Sequence, residues 1–161
     1  MKNTLTFLFS LSFLLVSCEA KKQASVEPSP TPAPAETTAS HFPEGSPKFG
    51  TDYKAALAEA KKENKPVVLV FSAAWCGPCQ SMKKTVYPSK EVTPLHDKFV
   101  WAYLDVDEEA NAAPAMKYKV EAIPHIQFLA ADGKEISAQI GGASPGEFAG
   151  TLQTVLAKAG H

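Results

Sequence analysis

The sequence predicts an α/β protein in which helices cover both faces of a central mixed β-sheet. Two continuous apolar runs, residues 66–73 and 99–106, are typical of strands buried on both faces of a sheet. Two shorter segments, 125–130 and 135–140, alternate apolar and polar residues around Asp132-Gly133, which indicates a β-hairpin. Amphipathic segments before, between and after these strands predict the helices.

The first predicted helix spans residues 52–64, where apolar residues recur at i, i+3, i+4 and i+7: Tyr53, Ala56, Leu57 and Ala60. A second helix is predicted to begin at Gly77-Pro78, because proline fits the first helical turn, where its missing N–H is no loss. Its inner face would carry Cys79, Met82 and Val86, and Pro88 would end it.

Three further helices are predicted in the second half of the chain. One short helix is expected before Phe99 and another over residues 111–118. The last begins at Ser144-Pro145-Gly146-Glu147, a capping box with proline at the first helical position. Its buried stripe is formed by Phe148, Leu152, Val155 and Leu156. The predicted order is α-β-α-(α)-β-α-β-β-α, in one domain over residues 49–161.

Composition excludes several classes of protein. The chain has 161 residues and a formal net charge of −1, so nothing indicates a surface for nucleic acid or anionic lipid. Three cysteines are a poor number for a disulfide scaffold, which predicts separate roles for Cys18, Cys76 and Cys79.

Residues 1–17 are typical of a signal peptide, with Lys2 followed by an apolar run too short to span a membrane, which takes about 20 residues. A buried first helix is disfavoured because no polar face interrupts this run. The stretch 15–18 resembles the lipobox of bacterial lipoproteins, which implies that Cys18 is acylated and anchors the chain to a membrane. Glu19 follows where an aspartate would resemble an inner-membrane retention signal, so the periplasmic face of the outer membrane is favoured.

Residues 18–48 combine the lipidated cysteine with a segment made almost wholly of Ala, Pro, Ser, Thr and Glu. A segment of this composition buries too little apolar surface to offset the conformational entropy lost on ordering, and its prolines favour extended polyproline II. The segment is predicted to be a disordered tether that lets the domain search for partners, with an inert spacer as the alternative.

Cys76 and Cys79 are the candidate catalytic residues. Cys76 follows a predicted buried strand and begins a predicted helix, where unpaired backbone N–H groups stabilise a thiolate. Cys79 lies one helical turn further along, from where it can attack a mixed disulfide formed at Cys76.

The stretch "WCGPC", residues 75–79, resembles the thioredoxin active site, and "AIPH", residues 122–125, resembles the segment that carries the thioredoxin cis-proline. The resemblance covers residues 49–161 and implies a thioredoxin-like fold with Pro124 cis and facing the cysteines. Gly141 and Gly142 stand where the family has a glycine beside the substrate groove. The implied groove comprises Trp75, Gly77, Pro78, Ile123, Pro124, His125 and Gly141.

The chain departs from the thioredoxin pattern at several positions. Val70 stands where the family has a buried aspartate, and Tyr103 where it has the lysine partner. His125 replaces the usual threonine; it either tunes the Cys76 thiolate or only lies in the groove. The first thioredoxin strand has no clear counterpart, so the domain is expected to begin directly with a helix.

Metal binding is the main alternative to redox chemistry at the CxxC pair. Zinc needs four ligands, and the sequence has no second CxxC and only scattered histidines. A copper chaperone would need a histidine facing the cysteines, and His125 is the candidate. The acidic cluster over 105–109 is interpreted as structural, because carboxylates favour a helix N-terminus. No metal and no cofactor are therefore expected.

The sequence predicts a lipid-anchored, monomeric thiol-disulfide oxidoreductase. The Gly-Pro spacer and Ile123 before Pro124 resemble reducing thioredoxins, which favours a reductase of disulfides in exported proteins, supplied by a membrane electron-donor protein. An oxidase or isomerase of the same fold, or a copper-binding chaperone, is the alternative.

Overall fold

The computed structural model describes residues 42–160, and their strands form a five-stranded sheet in the order β1-β3-β2-β4-β5. The strands are β1 Phe49–Gly50, β2 Val67–Ser72, β3 Val100–Asp105, β4 His125–Leu129 and β5 Glu135–Ile140. β1, β3 and β2 run parallel, and β4 and β5 join them antiparallel. The predicted mixed sheet is thereby confirmed. The predicted signal peptide, Cys18 and most of the predicted tether lie outside the described residues.

The expectation that no strand precedes the first helix is wrong. Phe49 and Gly50 pair in parallel with Trp101 and Ala102 at one edge of the sheet. Two residues are too few to show an alternating pattern, and their pairing depends on a strand about fifty residues further along the chain. The sequence pattern therefore carries no trace of this strand.

The helices lie where the sequence predicts them. They are α1 Tyr53–Glu63, α2 Gly77–Ser81, α3 Ala112–Lys117 and α4 Pro145–Ala159, with short 3₁₀ segments at Thr93–Lys98 and Glu109–Asn111. Asp52 caps α1 by accepting a hydrogen bond from the N–H of Ala55, and both bonds of the predicted Ser144–Glu147 capping box are present at α4. Within residues 42–160 no helix combines the length and apolar character needed to cross a membrane.

The helix that begins at Gly77 changes its winding after α2. Residues Met82–Val86 form a π-helical segment, and the N–H of Tyr87 donates to the carbonyl of Met82, five residues earlier. The inner face nevertheless carries Cys79, Met82 and Val86, all buried, as predicted.

Each face of the sheet carries its own apolar core. Side chains of the π segment and α4 cover one face, where the buried groups include Val70, Met82, Trp101, Tyr103, Phe128 and Phe148. Side chains of α1 and of the region around α3 cover the other, where they include Ala60, Leu69, Phe71, Leu104 and Tyr118. Helices therefore cover both faces, and both cores are built from alternate residues of the same strands.

Residue Phe42 packs against the domain, although the sequence assigned residues 18–48 to the tether. Its ring stacks on Phe49 with 4.4 Å between centroids and meets Tyr103 edge-on at 5.0 Å. The ammonium of Lys83 lies 4.3 Å from the centre of the Phe42 ring. These contacts extend the packed region to Phe42 at least.

Candidate active site

Cys76 and Cys79 form a disulfide at the end of β2, where the chain turns into α2. Both side chains are buried, with 4% of Cys76 and 2% of Cys79 exposed. They pack with Ala73, Val106 and Ile123 in an apolar cluster that adjoins the α1 side of the sheet. The oxidised pair is therefore surrounded in part by apolar side chains.

The backbone at the start of α2 supplies one hydrogen-bond donor to the Cys76 sulfur. Cys76 is the N-cap residue, in extended conformation, and its Sγ lies 3.2 Å from the N–H of Cys79, which donates to it. In the reduced protein the same N–H stabilises negative charge on Cys76 and lowers the energy of its thiolate. The amide side chain of Gln80 donates to the carbonyl of Ala73 and ties the turn together.

The loop before β4 faces the cysteines. The Ile123–Pro124 peptide bond is cis, as the resemblance implies, and the Ile123 carbonyl oxygen lies 3.7 Å from the Sγ of Cys76. The N–H of Gly141 donates to the Pro124 carbonyl at 2.8 Å, and Gly141 has a φ of +88°, which only glycine adopts readily. The structure therefore brings Ile123, Pro124 and Gly141 together at one side of the pair.

The indole of Trp75 is exposed but held in place. Its Nε1–H donates to the Asp107 carboxylate at 2.8 Å, while 70% of the residue faces solvent. Asp105 accepts a hydrogen bond from the N–H of Asp107 and so orders the turn that carries it. The sequence assigned this acidic cluster a structural role only, and it missed the contact of Asp107 with the tryptophan. No local pattern signals such a contact across 32 residues.

A groove of about 580 Å³ runs from Trp75 toward α3. Its lining is apolar apart from Glu121, and it includes Val106, Ala115, Met116, Val120 and Ile123. Met116 is 80% exposed and was not among the site residues predicted from the sequence. Its position on a short helix with little amphipathic pattern gave no signal for such a role.

The polar groups that lie near Val70 in the sheet are the hydroxyls of Ser72 and Tyr103. Val70 is 1% exposed and pairs in register with Tyr103. The Tyr103 hydroxyl is hydrogen-bonded to the buried hydroxyl of Ser72. Burial raises the pKa of Tyr103, so this phenol stays protonated at neutral pH.

The imidazole of His125 is buried and does not line this groove. The residue is 3% exposed, and its ring meets the Phe71 ring edge-on with 5.8 Å between centroids. Its Nε2 lies 3.4 Å from the Oε1 of Gln127. His125 is the first residue of β4 and pairs with Phe71, so its side chain turns into the α1 face of the sheet. The resemblance implied that His125 belongs to the substrate groove, but its side chain is buried.

No cluster of three or more His, Cys, Asp or Glu side chains suited to a metal ion occurs within residues 42–160.

A cysteine pair at the start of a helix, opposed by a cis-proline loop on a mixed sheet, defines the site of a thioredoxin-like thiol-disulfide oxidoreductase. Residues 53–156 match the thioredoxin-like domain family, and the chain belongs to that family.

Relatives agree with this assignment. The chain is 37% identical to thioredoxin H2-1 of Oryza sativa subsp. japonica over 59% of its own length and 64% of the relative. It is 28% identical to the thiol:disulfide interchange protein DsbD of Pseudoalteromonas atlantica, over 63% of this chain but only 18% of that protein. A thioredoxin structure from Thermus thermophilus superimposes with a TM-score of 0.65 at 28% identity, covering 71% of this chain and 91% of the other.

Proposed function

We propose that this thioredoxin-like oxidoreductase is a membrane-anchored reductase of disulfides in exported proteins. The observation that carries the proposal is the placement of Cys76. Its sulfur accepts the N–H of Cys79 and faces the Ile123 carbonyl beside the cis-proline, so it is both activated and placed for an incoming disulfide.

The reaction follows from the positions of the two sulfurs. In the reduced protein the Cys76 thiolate attacks one sulfur of the substrate disulfide, forming a mixed disulfide and releasing one substrate thiolate, which takes up a proton. Cys79 then loses its proton, and its sulfur attacks the Sγ of Cys76. The mixed disulfide breaks, the second substrate thiol leaves, and the Cys76–Cys79 disulfide remains. Two electrons pass from the protein to the substrate. One proton comes from Cys79 and the other from solvent, because Cys76 reacts as a thiolate.

The surface around the pair suits a polypeptide substrate. The large apolar side chains exposed within residues 42–160 are Trp75, Met116 and Ile140. Trp75 and Met116 line the groove, and Ile140 directly precedes Gly141, whose N–H binds the cis-proline loop. Apolar surface gathered around one buried disulfide favours binding of an unfolded or extended cysteine-bearing segment.

Export and anchoring are inferred from the signal-peptide pattern and the lipobox-like stretch that ends at Cys18. The similarity to DsbD, named as a thiol:disulfide interchange protein, supports the exchange chemistry of this proposal. A dithiol that reduces disulfides outside the cytoplasm must be re-reduced, so a membrane electron-donor protein is part of this proposal.

The direction of electron flow is tested by the reduction potential of the Cys76–Cys79 couple. The full chain carrying Cys18→Ser would be equilibrated with glutathione or dithiothreitol, so that Cys76 and Cys79 are its only thiols. A reductase should give a potential below about −230 mV, near that of thioredoxin. A potential above about −180 mV would identify an oxidant or isomerase instead.

Insulin reduction by the same chain tests whether the pair is catalytic. Cys76→Ser should abolish the reduction of insulin disulfides, because the attacking thiolate is lost. Ser81→Ala is a matched control, since this exposed residue lies on the same helix and is not part of the apolar cluster around the pair. Full activity of Cys76→Ser would reject the proposed function.

A further inference from the structure

The groove beside the redox pair is lined by one charged side chain, that of Glu121. The remaining lining residues are apolar or aromatic, and they include the exposed side chains of Trp75 and Met116. Glu121 is itself exposed, so its carboxylate is accessible to a bound polypeptide. A segment lying in the groove therefore contacts apolar walls and a single negative charge.

No positive charge neutralises Glu121 within residues 42–160. The ion pairs there join Lys65 to Glu63 and Lys134 to Asp132. The side chain of Glu121 forms neither an ion pair nor a hydrogen bond with any of the described residues. Its carboxylate is therefore free to bind a cation that the substrate supplies.

The two lysines that follow Met116 in the chain do not line the groove. The Lys117 ammonium donates to the Tyr53 hydroxyl at 2.8 Å and lies 4.9 Å from the centre of the Tyr118 ring, so it is held toward α1. Lys119 is exposed beyond the end of α3. The charge that a bound segment meets inside the groove is therefore that of Glu121.

A second carboxylate lies at the Trp75 end of the groove. Asp107 accepts a hydrogen bond from the indole Nε1–H at 2.8 Å, and the exposed residues Glu108 and Glu109 follow it. Residues 105–121 together contain five carboxylates and two lysines. The potential on this side of the site is therefore negative, which favours the approach of a cationic segment.

The separation of Glu121 from the redox pair corresponds to a few residues of a bound chain. Glu121 precedes Ile123 by two residues, and the Ile123 carbonyl oxygen lies 3.7 Å from the Sγ of Cys76. Two residues span at most about 7 Å, and an extended substrate rises about 3.3 Å per residue. A substrate side chain that meets Glu121 therefore lies within about four residues of the substrate cysteine.

We propose that Glu121 makes the groove select cysteine-bearing segments with a lysine or arginine within about four residues of the cysteine. The cationic end group pairs with the carboxylate, while the aliphatic part of the same side chain packs on apolar walls such as Met116. An acidic residue at that place in the substrate is disfavoured by repulsion. This inference names the substrate class, and it rests on the proposed function in taking exchange with a polypeptide disulfide as the reaction at Cys76.

The test compares three capped peptides that carry Lys, Gln or Glu at one position about three residues from a single cysteine, on either side of it. Each cysteine is joined by a disulfide to 5-thio-2-nitrobenzoate, the better leaving group. The Cys76 thiolate of the reduced full chain carrying Cys18→Ser attacks the peptide sulfur and releases the coloured thiolate, and Cys79 then displaces the peptide thiolate. Absorbance gives each rate, and division by the rate with dithiothreitol removes the intrinsic reactivity of the peptide.

The Lys peptide should react about fivefold faster than the Glu peptide at low ionic strength, because an exposed charge pair has a modest effect on binding. The ratio should fall toward one at about 0.5 M salt, which screens exposed charges. Glu121→Gln should reduce the ratio to about twofold, and Glu121→Lys should make the Glu peptide the faster substrate.

Glu91→Gln is the matched control, because it removes one exposed carboxylate that does not line the groove. It should keep the ratio of the unsubstituted chain, which separates a local effect of Glu121 from an effect of net charge. Equal ratios for Glu121→Gln and the unsubstituted chain, or a ratio near one in the unsubstituted chain, would overturn the proposal.

The outcomes separate this inference from the proposed function. A chain that fails to reduce insulin but shows the ratio dependent on Glu121 rejects the proposed function and keeps this inference. A chain that reduces insulin and reacts equally with the three peptides rejects this inference alone. Failure to release the coloured thiolate from any peptide rejects both.

Discussion

Replacing Val70 with aspartate would test whether water reaches this position of β2. Val70 is 1% exposed and lies between Tyr103 on β3 and Ile126 on β4. Loss of its buried aliphatic surface should cost about 1.5–3 kcal/mol. Val70→Asn, which has nearly the same shape as the aspartate but does not ionise, should show this loss and the burial of an amide at every pH.

The aspartate variant should show an additional penalty that grows with pH. Burial raises the pKa of the introduced carboxyl in the folded state above its unfolded value of about 3.9. Below the unfolded pKa the carboxyl is protonated in both the folded and the unfolded protein, so the additional penalty is absent there. It increases as the pH rises toward the folded pKa and is constant above it. An increase of about two units would cost about 2.7 kcal/mol.

The expected loss for Val70→Asp from lost aliphatic burial and from ionisation is therefore about 4–6 kcal/mol at pH 8 and about 1.5–3 kcal/mol near pH 4, and burial of a neutral polar group adds to it at every pH, as in Val70→Asn. Urea unfolding of the oxidised protein at pH 4, 6 and 8 measures it, with Val70→Asn alongside. A loss of 4–6 kcal/mol is a large part of the stability of an ordinary domain. If Val70→Asp and Val70→Asn lost the same stability at all three pH values, the carboxyl would be reaching water, and the conclusion that this position is sealed would be refuted.

Three further predictions concern the site and its surroundings. Phe42→Leu and Lys83→Met, alone and combined, should reveal a coupling of about 0.5–1 kcal/mol in urea unfolding; no coupling would mean that the ammonium does not bind the ring. Cys79→Ser should trap a mixed disulfide between Cys76 and a substrate protein, detected on non-reducing gels; if none accumulates, Cys79 is not the resolving thiol. Met116→Ser should raise the KM for insulin about threefold to tenfold and leave the reduction of a small aromatic disulfide unchanged. Equal effects on both substrates would show that the groove does not bind polypeptide.

Much of the fold could be predicted from the sequence, because the signals are local. The apolar spacing of α1, the continuous apolar runs of β2 and β3 and the capping box of α4 each depend on residues within one or two turns of one another. The Cys76–Cys79 pair belongs to this class, since three residues at a helix start bring the two sulfurs into bonding range.

Other features depend on contacts between segments that are far apart in the chain, and no local pattern predicts them. The strand at Phe49–Gly50 exists because β3 is there to pair with it, and two residues have no periodicity of their own. The bond from Trp75 to Asp107 joins two loops at the carboxyl ends of neighbouring parallel strands. The burial of His125 follows from its register with Phe71, which turns the imidazole toward one core and away from the groove.

The physical reason is common to these cases. A local pattern shows that a residue belongs to a strand or a helix, but it does not show which side chains from other elements will lie against it. The sequence by itself determined the helices, the main strands and the cysteine pair of this protein. The tertiary structure alone decided that the groove extends to Met116 and that the Nδ1 of His125 is buried and unpaired, because both depend on register and packing between segments far apart in the chain.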